Sequence, residues 1–318
     1  MSEVSESTNS LMKSILNDQL SLLFPKDPHK NLNDKNINNL TTKRILLNIG
    51  YDGTKFHGNQ IQANNITVEH VLLYAIRKIL PVDSSNKIKN TTVQEKSIDW
   101  CGRTDKNVSA ENMFCCLSVK YNTSIDWYLK NINSRLCKYV WVKGYLVLSD
   151  AEFSARFSCS LRRYRYVFNL PINFDRRVFN PKTFCLASSS DIEEALSISG
   201  LPFKELTEVD ETTRLLNEKS ALFLNVKNMK EFCKNSKHRP IEFYGREIKQ
   251  IYVTKHQEDG LYELRISSKS FLHNQIRRIL FFILFNRKGN MDGVGLTFEG
   301  GEYKEKFVWE ECVPRVNR

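Results

Sequence analysis

The sequence predicts an α+β fold of two halves, on three observations. At 318 residues with 41% hydrophobic content, the chain can bury a sizeable core, as one large domain or two intimately packed halves. Between Lys43 and Leu148 the order is strand, helix, strand, strand, helix, strand, a split βαβ arrangement of the ferredoxin-like kind. From near Ala151 a second series of elements echoes that order without a detectable sequence repeat.

Residues 1–41 are polar, rich in Ser, Asn, Asp and Lys, and read as a mostly disordered extension in which Leu11 to Leu23 can form one amphipathic helix. Residues 42–150 make the N-terminal half and 151–318 the C-terminal half. Lys43 to Tyr51 is a first strand, and Asp52-Gly53 turns out of it. Thr67 is an N-cap, after which Val68, Val71, Leu72, Ala75, Ile76, Ile79 and Leu80 keep helical spacing up to Pro81, with His70 on the surface. Asp83 to Glu95 is a polar loop. Strands at Ser97–Cys101 and Met113–Val119 enclose a second loop. Ser124 then caps a helix carrying Ile125, Leu129, Ile132 and Leu136, and Tyr139 to Leu148 is a strand.

In the second half, Arg163 to Leu170 alternates, with Tyr164, Tyr166, Phe168 and Leu170 on one face and Arg163, Arg165 and Val167 on the other. Asp191–Ser197 and Lys227–Asn235 read as helices, and Gly200 to Asn225 as an irregular insertion. Gly245–Lys255 and Leu261–Ser267 read as paired strands around Gln257-Glu258-Asp259-Gly260. Phe271 to Phe285 is a strongly apolar helix and Lys306–Trp309 a last strand.

The net charge of +11 suits a polyanionic partner. Eight cysteines show no Cys-x-x-Cys pair, which argues against a zinc site. Cys115 and Cys116 read as small core residues in a reducing compartment. No secretory signal opens the chain, and the longest apolar run, Ile279 to Phe285, is too short for a bilayer; a soluble protein of the cytoplasm, the nucleus or both is expected.

The loop of interest is Asp99-Trp-Cys-Gly-Arg-Thr-Asp-Lys-Asn-Val-Ser-Ala110. Its Asp105 stands between Arg103 and Lys106, where core packing needs no carboxylate. Two nearby cations favour the ionised acid, and a charged carboxylate aimed into a cleft suits nucleophilic or base chemistry. The other reading is an Asx-turn, with Asp105 accepting backbone N–H groups.

Gly102-Arg-Thr-Asp-x-x-Val-Ser-Ala110 resembles the catalytic loop of tRNA pseudouridine synthases of the TruA family. Three further segments agree with that family, in its order. They are Tyr51-Asp-Gly-Thr-Lys-Phe-His-Gly-Asn-Gln60, then Phe153-Ser-Ala-Arg-Phe-Ser-Cys159 running into Arg163-Tyr-Arg-Tyr166, then Ser270-Phe-Leu-His-Asn-Gln-Ile-Arg277. The last two especially resemble the eukaryotic branch acting at positions 38 and 39 of the anticodon stem-loop. The resemblance covers about Lys43 to about Trp309.

It implies the pseudouridine synthase fold, in which two ferredoxin-like halves share a central antiparallel sheet with the active cleft between them. It also implies tRNA as partner, no cofactor or metal, and no membrane; a homodimer is left open. Asp105 matches the catalytic aspartate, and Arg103 the residue that fills the space of a flipped base and pairs with phosphate. Tyr164 matches the tyrosine that stacks on that base, against a plain core role on an alternating strand; Tyr166 reads as core. Arg277 matches the arginine that holds the aspartate, against snorkelling to solvent, which suits Arg278 better. Gly102, Thr104, Lys106, Phe56, Gln60, Arg163, Arg165 and His273 are the substrate-binding candidates; Asn274 can also line the pocket, and Gly53, Phe56 and Gln60 shape the RNA-facing loop. Lys55 and Arg162 join Lys106, Arg163 and Arg165 as phosphate contacts.

Departures from the family pattern are Asn107 in place of Gly, the reduced Gly293-Val-Gly-Leu296, and the 200–225 region. If position 107 needs positive φ, Asn is the next most tolerant residue. The alternatives are a catalytically weak or inactive tRNA-binding chaperone, and a synthase for another tRNA position. Joint retention of Asp105, Arg103, Tyr164 and Arg277 argues for an enzyme.

Overall fold

Ile45, Leu46, Leu47 and Ile49 follow one another with almost no polar interruption and are each exposed by 1% or less. A strand with such a sequence must be covered on both faces. This strand, β1 (Thr41–Tyr51), lies between β3 (Ser109–Tyr121) and β4 (Val140–Leu148), antiparallel to both. The structure is a computed structural model that describes residues 41–79, 98–121, 129–150, 152–199, 210–234 and 239–312. The expected helix at Leu11–Leu23, the polar loop Asp83–Glu95 and the cap Ser124 lie outside these residues. Secondary structure is mixed α and β with antiparallel pairing, and the chain divides into two units.

The first unit comprises Met1–Cys159 and Tyr303–Arg318. Here β2 (Asp99–Trp100) pairs with β3 through Asp99↔Cys116 and Trp100↔Cys115, so the chain enters along β2, loops out, and returns along β3. Helix α1 (Val68–Ile79) buries Val68, Val71, Leu72 and Ala75 completely, as their spacing predicts. The Thr67 hydroxyl accepts the His70 N–H at 3.5 Å, an N-cap. His70 itself is not on the surface: its ring is half-buried, with Nδ1 2.9 Å from the Thr67 hydroxyl, and burial lowers its pKa. The described part of the helix expected through Leu136 ends in a 3-10 turn, Ile132–Arg135, because the Asn133 carboxamide is drawn into pairing with Val142.

Leu46 and Cys116 share a cluster with Phe153 and Ala155, covered by Phe114, Tyr303, Phe307 and Trp309. Phe114 stacks on Trp309 with ring centroids 5.4 Å apart. Lys306–Trp309 is therefore not a strand. Its rings plug this cluster, and the ladder to β4 is made by β9 (Glu310–Glu311) instead.

The second unit is Ser160–Glu302, with strand order β6-β7-β5-β8. These are β5 (Cys159–Phe168), β6 (Ile248–Lys255), β7 (Tyr262–Ser268) and β8 (Leu296–Tyr303). The 6–7 hairpin follows the expected turn, whereas β8 has no counterpart in the sequence reading. Helix α2 (Ser189–Ser199) is as expected. The segment read as irregular instead contains α3 (Glu211–Ala221), started by the Asp210 carboxylate accepting the Thr212 and Thr213 N–H groups. Lys227–Asn235 is not a helix: Asn228 bridges Gly245, the Met229 N–H donates to the Tyr244 carbonyl at 3.0 Å, and only Lys230–Phe232 makes a 3-10 turn. Helix α4 runs over Gln275–Phe285, starting after Asn274, whose φ of 59° is left-handed. Among the described residues no helix is long and apolar enough to cross a membrane.

Helix α3 also buries a cation. Lys219 is 3% exposed, donates to the Asp175 carbonyl at 2.5 Å, and sits 4.9 Å from the Phe174 ring centroid. Burial pulls its pKa from 10.5 down to about 8. The unfolded chain therefore binds the extra proton between these values, so this group makes stability rise with pH across that window. Urea unfolding of wild type and Lys219→Met at a series of pH values is expected to show the wild type gaining on the variant by about 2–3 kcal/mol from pH 8 to 10.5. A pH-independent difference would refute it.

Candidate active site

The loop from Gly102 to Val108 is fixed by residues 51–60. Asn59, fully buried, donates through Nδ2 to the Gly102 carbonyl and accepts the Thr104 N–H at Oδ1, both at 2.9 Å. The Tyr51 and Thr104 hydroxyls lie 2.8 Å apart. The Asn107 N–H donates to the Phe56 carbonyl at 3.2 Å, and the Gly53 N–H to the Ser109 hydroxyl at 2.9 Å. Two glycines permit the approach. A Cβ on Gly53 would stand 2.0 Å from the Val108 carbonyl oxygen, and one on Gly58, at φ +93°, 2.4 Å from that of Thr104.

Within this frame the Val108 N–H donates to the Asp105 carbonyl at 3.2 Å, closing a turn with Lys106 and Asn107 at its centre. Asn107 takes φ 68°, the positive φ that such a turn demands of its third residue, so the substitution for Gly is tolerated. Arg103 and Lys106 are exposed and Asp105 is half-buried, while Thr104 is 7% exposed. The loop thus alternates side chains held inside with charged side chains directed outward. Beside it, the pKa of His57 is pushed down from its ordinary value by burial and by the Lys106 charge.

A second tie comes from α1. Glu69, 1% exposed, accepts the Trp100 indole N–H at 3.0 Å and the Ile61 N–H at 3.1 Å. Burial raises its pKa. It fastens the end of β2 to the end of the 51–60 segment. Sequence reasoning quoted Tyr51 and Asn59 inside one motif without giving either a role and did not name Glu69. The usable signal was a lone Asn beside Gly58, and a Glu in the first turn of an otherwise apolar helix face.

Phe56 shapes the loop through its carbonyl, its ring being only 1% exposed. Gln60 is half-buried, and Lys55 is exposed with its ammonium 5.6 Å from the Tyr139 ring centroid.

In the second unit Tyr164 is 6% exposed, its ring edge-on to Phe271 at 5.3 Å and Phe298 at 5.0 Å. Tyr166 is core, as read: its hydroxyl donates to the Asp292 carbonyl at 2.6 Å, and burial pushes it up to about 12. Arg277, in the first turn of α4, donates through Nε to the Met291 carbonyl at 2.6 Å. The exposed His273 receives the Lys234 N–H on its carbonyl at 2.9 Å. Arg163 is paired with Glu302, and Arg165 is half-buried. Arg162 is buried and donates to the Lys269 carbonyl, which makes it a packing residue rather than a phosphate contact.

The loop is thus tied at both ends and directs two cations outward on either side of a half-buried carboxylate. No family model matches the chain. It is 26% identical over 246 residues to the tRNA pseudouridine synthase A of Staphylococcus carnosus, covering 77% of this chain and 78% of that one. With the tRNA pseudouridine synthase A of Legionella pneumophila (strain Lens) the identity is 28% over 240 residues, 74% of this chain and 75% of the relative. The chain also matches the tRNA pseudouridine(38/39) synthase of Saccharomyces cerevisiae, at 34% identity over 143 residues, 40% of this chain and 31% of the yeast protein.

Asn59→Ala orphans a buried carbonyl and a buried N–H, each costing about 1–3 kcal/mol. The variant is expected to lose about 2–4 kcal/mol in chemical denaturation, with faster hydrogen exchange at the Thr104 amide. A loss too small to measure, with native exchange at Thr104, would show that the loop holds without this clamp.

Proposed function

We infer that this chain is a tRNA pseudouridine synthase, isomerising uridine to pseudouridine at positions 38/39 of the anticodon stem-loop. The supporting observation is the match to two tRNA pseudouridine synthase A proteins over 74–77% of the chain, which includes a loop organised around Asp105. Positions 38/39 rest on the shorter yeast match and on the Phe153–Cys159 motif. The two ferredoxin-like halves belong to the same reading.

The reaction breaks the bond from C1′ to N1, turns the uracil, and joins C1′ to C5. The C5 proton leaves and N1 gains one, so no redox partner or cofactor is required. Asp105 is the ionised carboxylate that starts it, by attack or by taking a proton. The target base must leave its stack at a cost of a few kcal/mol. Arg103 suits the vacated space, since a guanidinium offers both a planar face and a fork of donors to phosphate. Its backbone neighbours are clamped on either side by Asn59, so its side chain starts from a fixed base. Tyr164 serves the flipped base and Arg277 the carboxylate, as the family motif implies. Gly102, Thr104 and Lys106 support the loop, and Arg165 and His273 the RNA.

The test uses tRNA tritiated at uridine C5. Wild type is expected to release tritium, and mapping to place pseudouridine at 38 or 39. Asp105→Asn should bind tRNA normally and lose about three orders of magnitude or more in rate. Comparable release from the variant would rule out the assigned chemistry. Arg277→Met should likewise fold, bind and lose at least about tenfold in rate, the scale of a lost orienting contact.

A further inference from the structure

One face of the second unit gathers cations that the catalytic assignments leave unused. Lys227 to Lys249 holds seven Lys and Arg against three Glu. Glu231 pairs with Lys288 outside the segment, and Glu247 with Lys249 inside it. Lys230, Arg246 and Arg278, together with the acidic Glu231, all act electrostatically on the buried Cys233 thiol. Arg246 and Arg278 each keep a buried Nε without a hydrogen-bond partner among the described residues. Arg246 is held by its own backbone, its Nη1 donating to the carbonyls of Phe243 at 3.0 Å and Gly245 at 2.5 Å.

Aromatic rings lie between these charges. Phe243, 39% exposed, has the Arg239 guanidinium 5.2 Å and the Arg246 guanidinium 5.7 Å from its ring centroid. Tyr244 is edge-on to Phe243 at 5.4 Å, with the Lys230 ammonium 6.0 Å from its own ring. The cluster reaches the start of α4, since Lys234 donates its N–H to the His273 carbonyl. An excess of fixed positive charge over acids raises the local positive potential, which a polyanion relieves. An exposed ring flanked by guanidinium groups is a stacking platform for a base.

We propose that Lys230, Arg239, Arg246 and Arg278, with Phe243, form a second RNA-contact surface that takes backbone phosphates of tRNA and stacks one unpaired base. The proposal rests on the reading of the chain as a tRNA-modifying enzyme and adds a site to it. Arg278 belongs to this surface, beside an Arg277 that serves the chemistry.

Full-length wild type and the triple variant Lys230→Ser/Arg239→Ser/Arg278→Gln are to be compared in binding unmodified tRNA over a salt series. The variant is expected to bind about tenfold more weakly, with a log–log salt slope shallower by about two to three. Its KM for tRNA should rise by a similar factor and its saturated rate fall by less than about twofold. Phe243→Leu should weaken binding about fivefold or more, and Phe243→Tyr should restore it. If the triple variant does not fold, the exposed Arg239→Ser alone is to be read, with a slope change near one. Wild-type affinity and slope in the folded triple variant overturn the proposal. So does loss of polyglutamate binding with tRNA binding intact, which would mark an acidic protein as the partner. Binding is read without turnover: a wild type that binds tRNA here yet releases no tritium leaves the surface standing and sinks the enzymatic reading.

Discussion

The candidate site depends on one carboxamide. The loop carrying Asp105 leaves the sheet after Cys101 and must present charged groups while its backbone lies against residues 51–60. Buried backbone groups there need partners, and no strand is available to supply them. Asn59 offers a donor and an acceptor from a single short side chain, and it satisfies a carbonyl and an N–H on either side of Arg103. Gln would overreach and Asp would lack the donor. The demand for close approach then propagates outward, to Gly53 and Gly58, where any side chain would collide with loop carbonyls.

The same device recurs away from the site. Asn133 donates to the Val142 carbonyl at 2.8 Å and accepts its N–H at 2.7 Å. Asn217, on α3, pairs in the same two-sided way with Val253 of β6. In both cases a buried asparagine stands in for a strand neighbour and fastens an adjacent helical segment to the sheet. These bonds add about 1 kcal/mol each, but orphaning their partners costs more, so each asparagine chiefly fixes geometry. At Asn59 the geometry fixed is that of a site; at the other two it is the packing of each unit.

What the sequence disclosed follows from periodicity. Strand β1, helix α1 and the β6–β7 hairpin announce themselves through apolar runs, a cap and a turn. Helix α3 did not, because its apolar residues are few and a buried Lys219 breaks the stripe; Asp210 as cap was the remaining signal. The Lys306–Trp309 segment looked like a strand since aromatic alternation fits one, yet its rings are needed as a plug. The charged residues of the loop were legible as a motif, and Asn107 was legible only as a residue able to take the positive φ that the structure shows there. Asn59 was not, since a single buried amide has no period and its partners are backbone atoms 43 and 45 residues away.

Rigidity and charge are divided between different residues, and that division suits work on a nucleic acid. Thr104, Tyr51, Asn59 and Glu69 are buried and bonded, and they hold the backbone. Arg103 and Lys106 are exposed, and in the proposed function their long side chains meet phosphate without moving the loop that carries Asp105. Burial and the Lys106 charge both disfavour a further positive charge on His57 beside this loop. Under the two proposals, binding energy gathered by outward cations, there or at the Phe243 cluster, need not disturb the acid. Affinity and chemistry can therefore be tuned by separate substitutions in this chain.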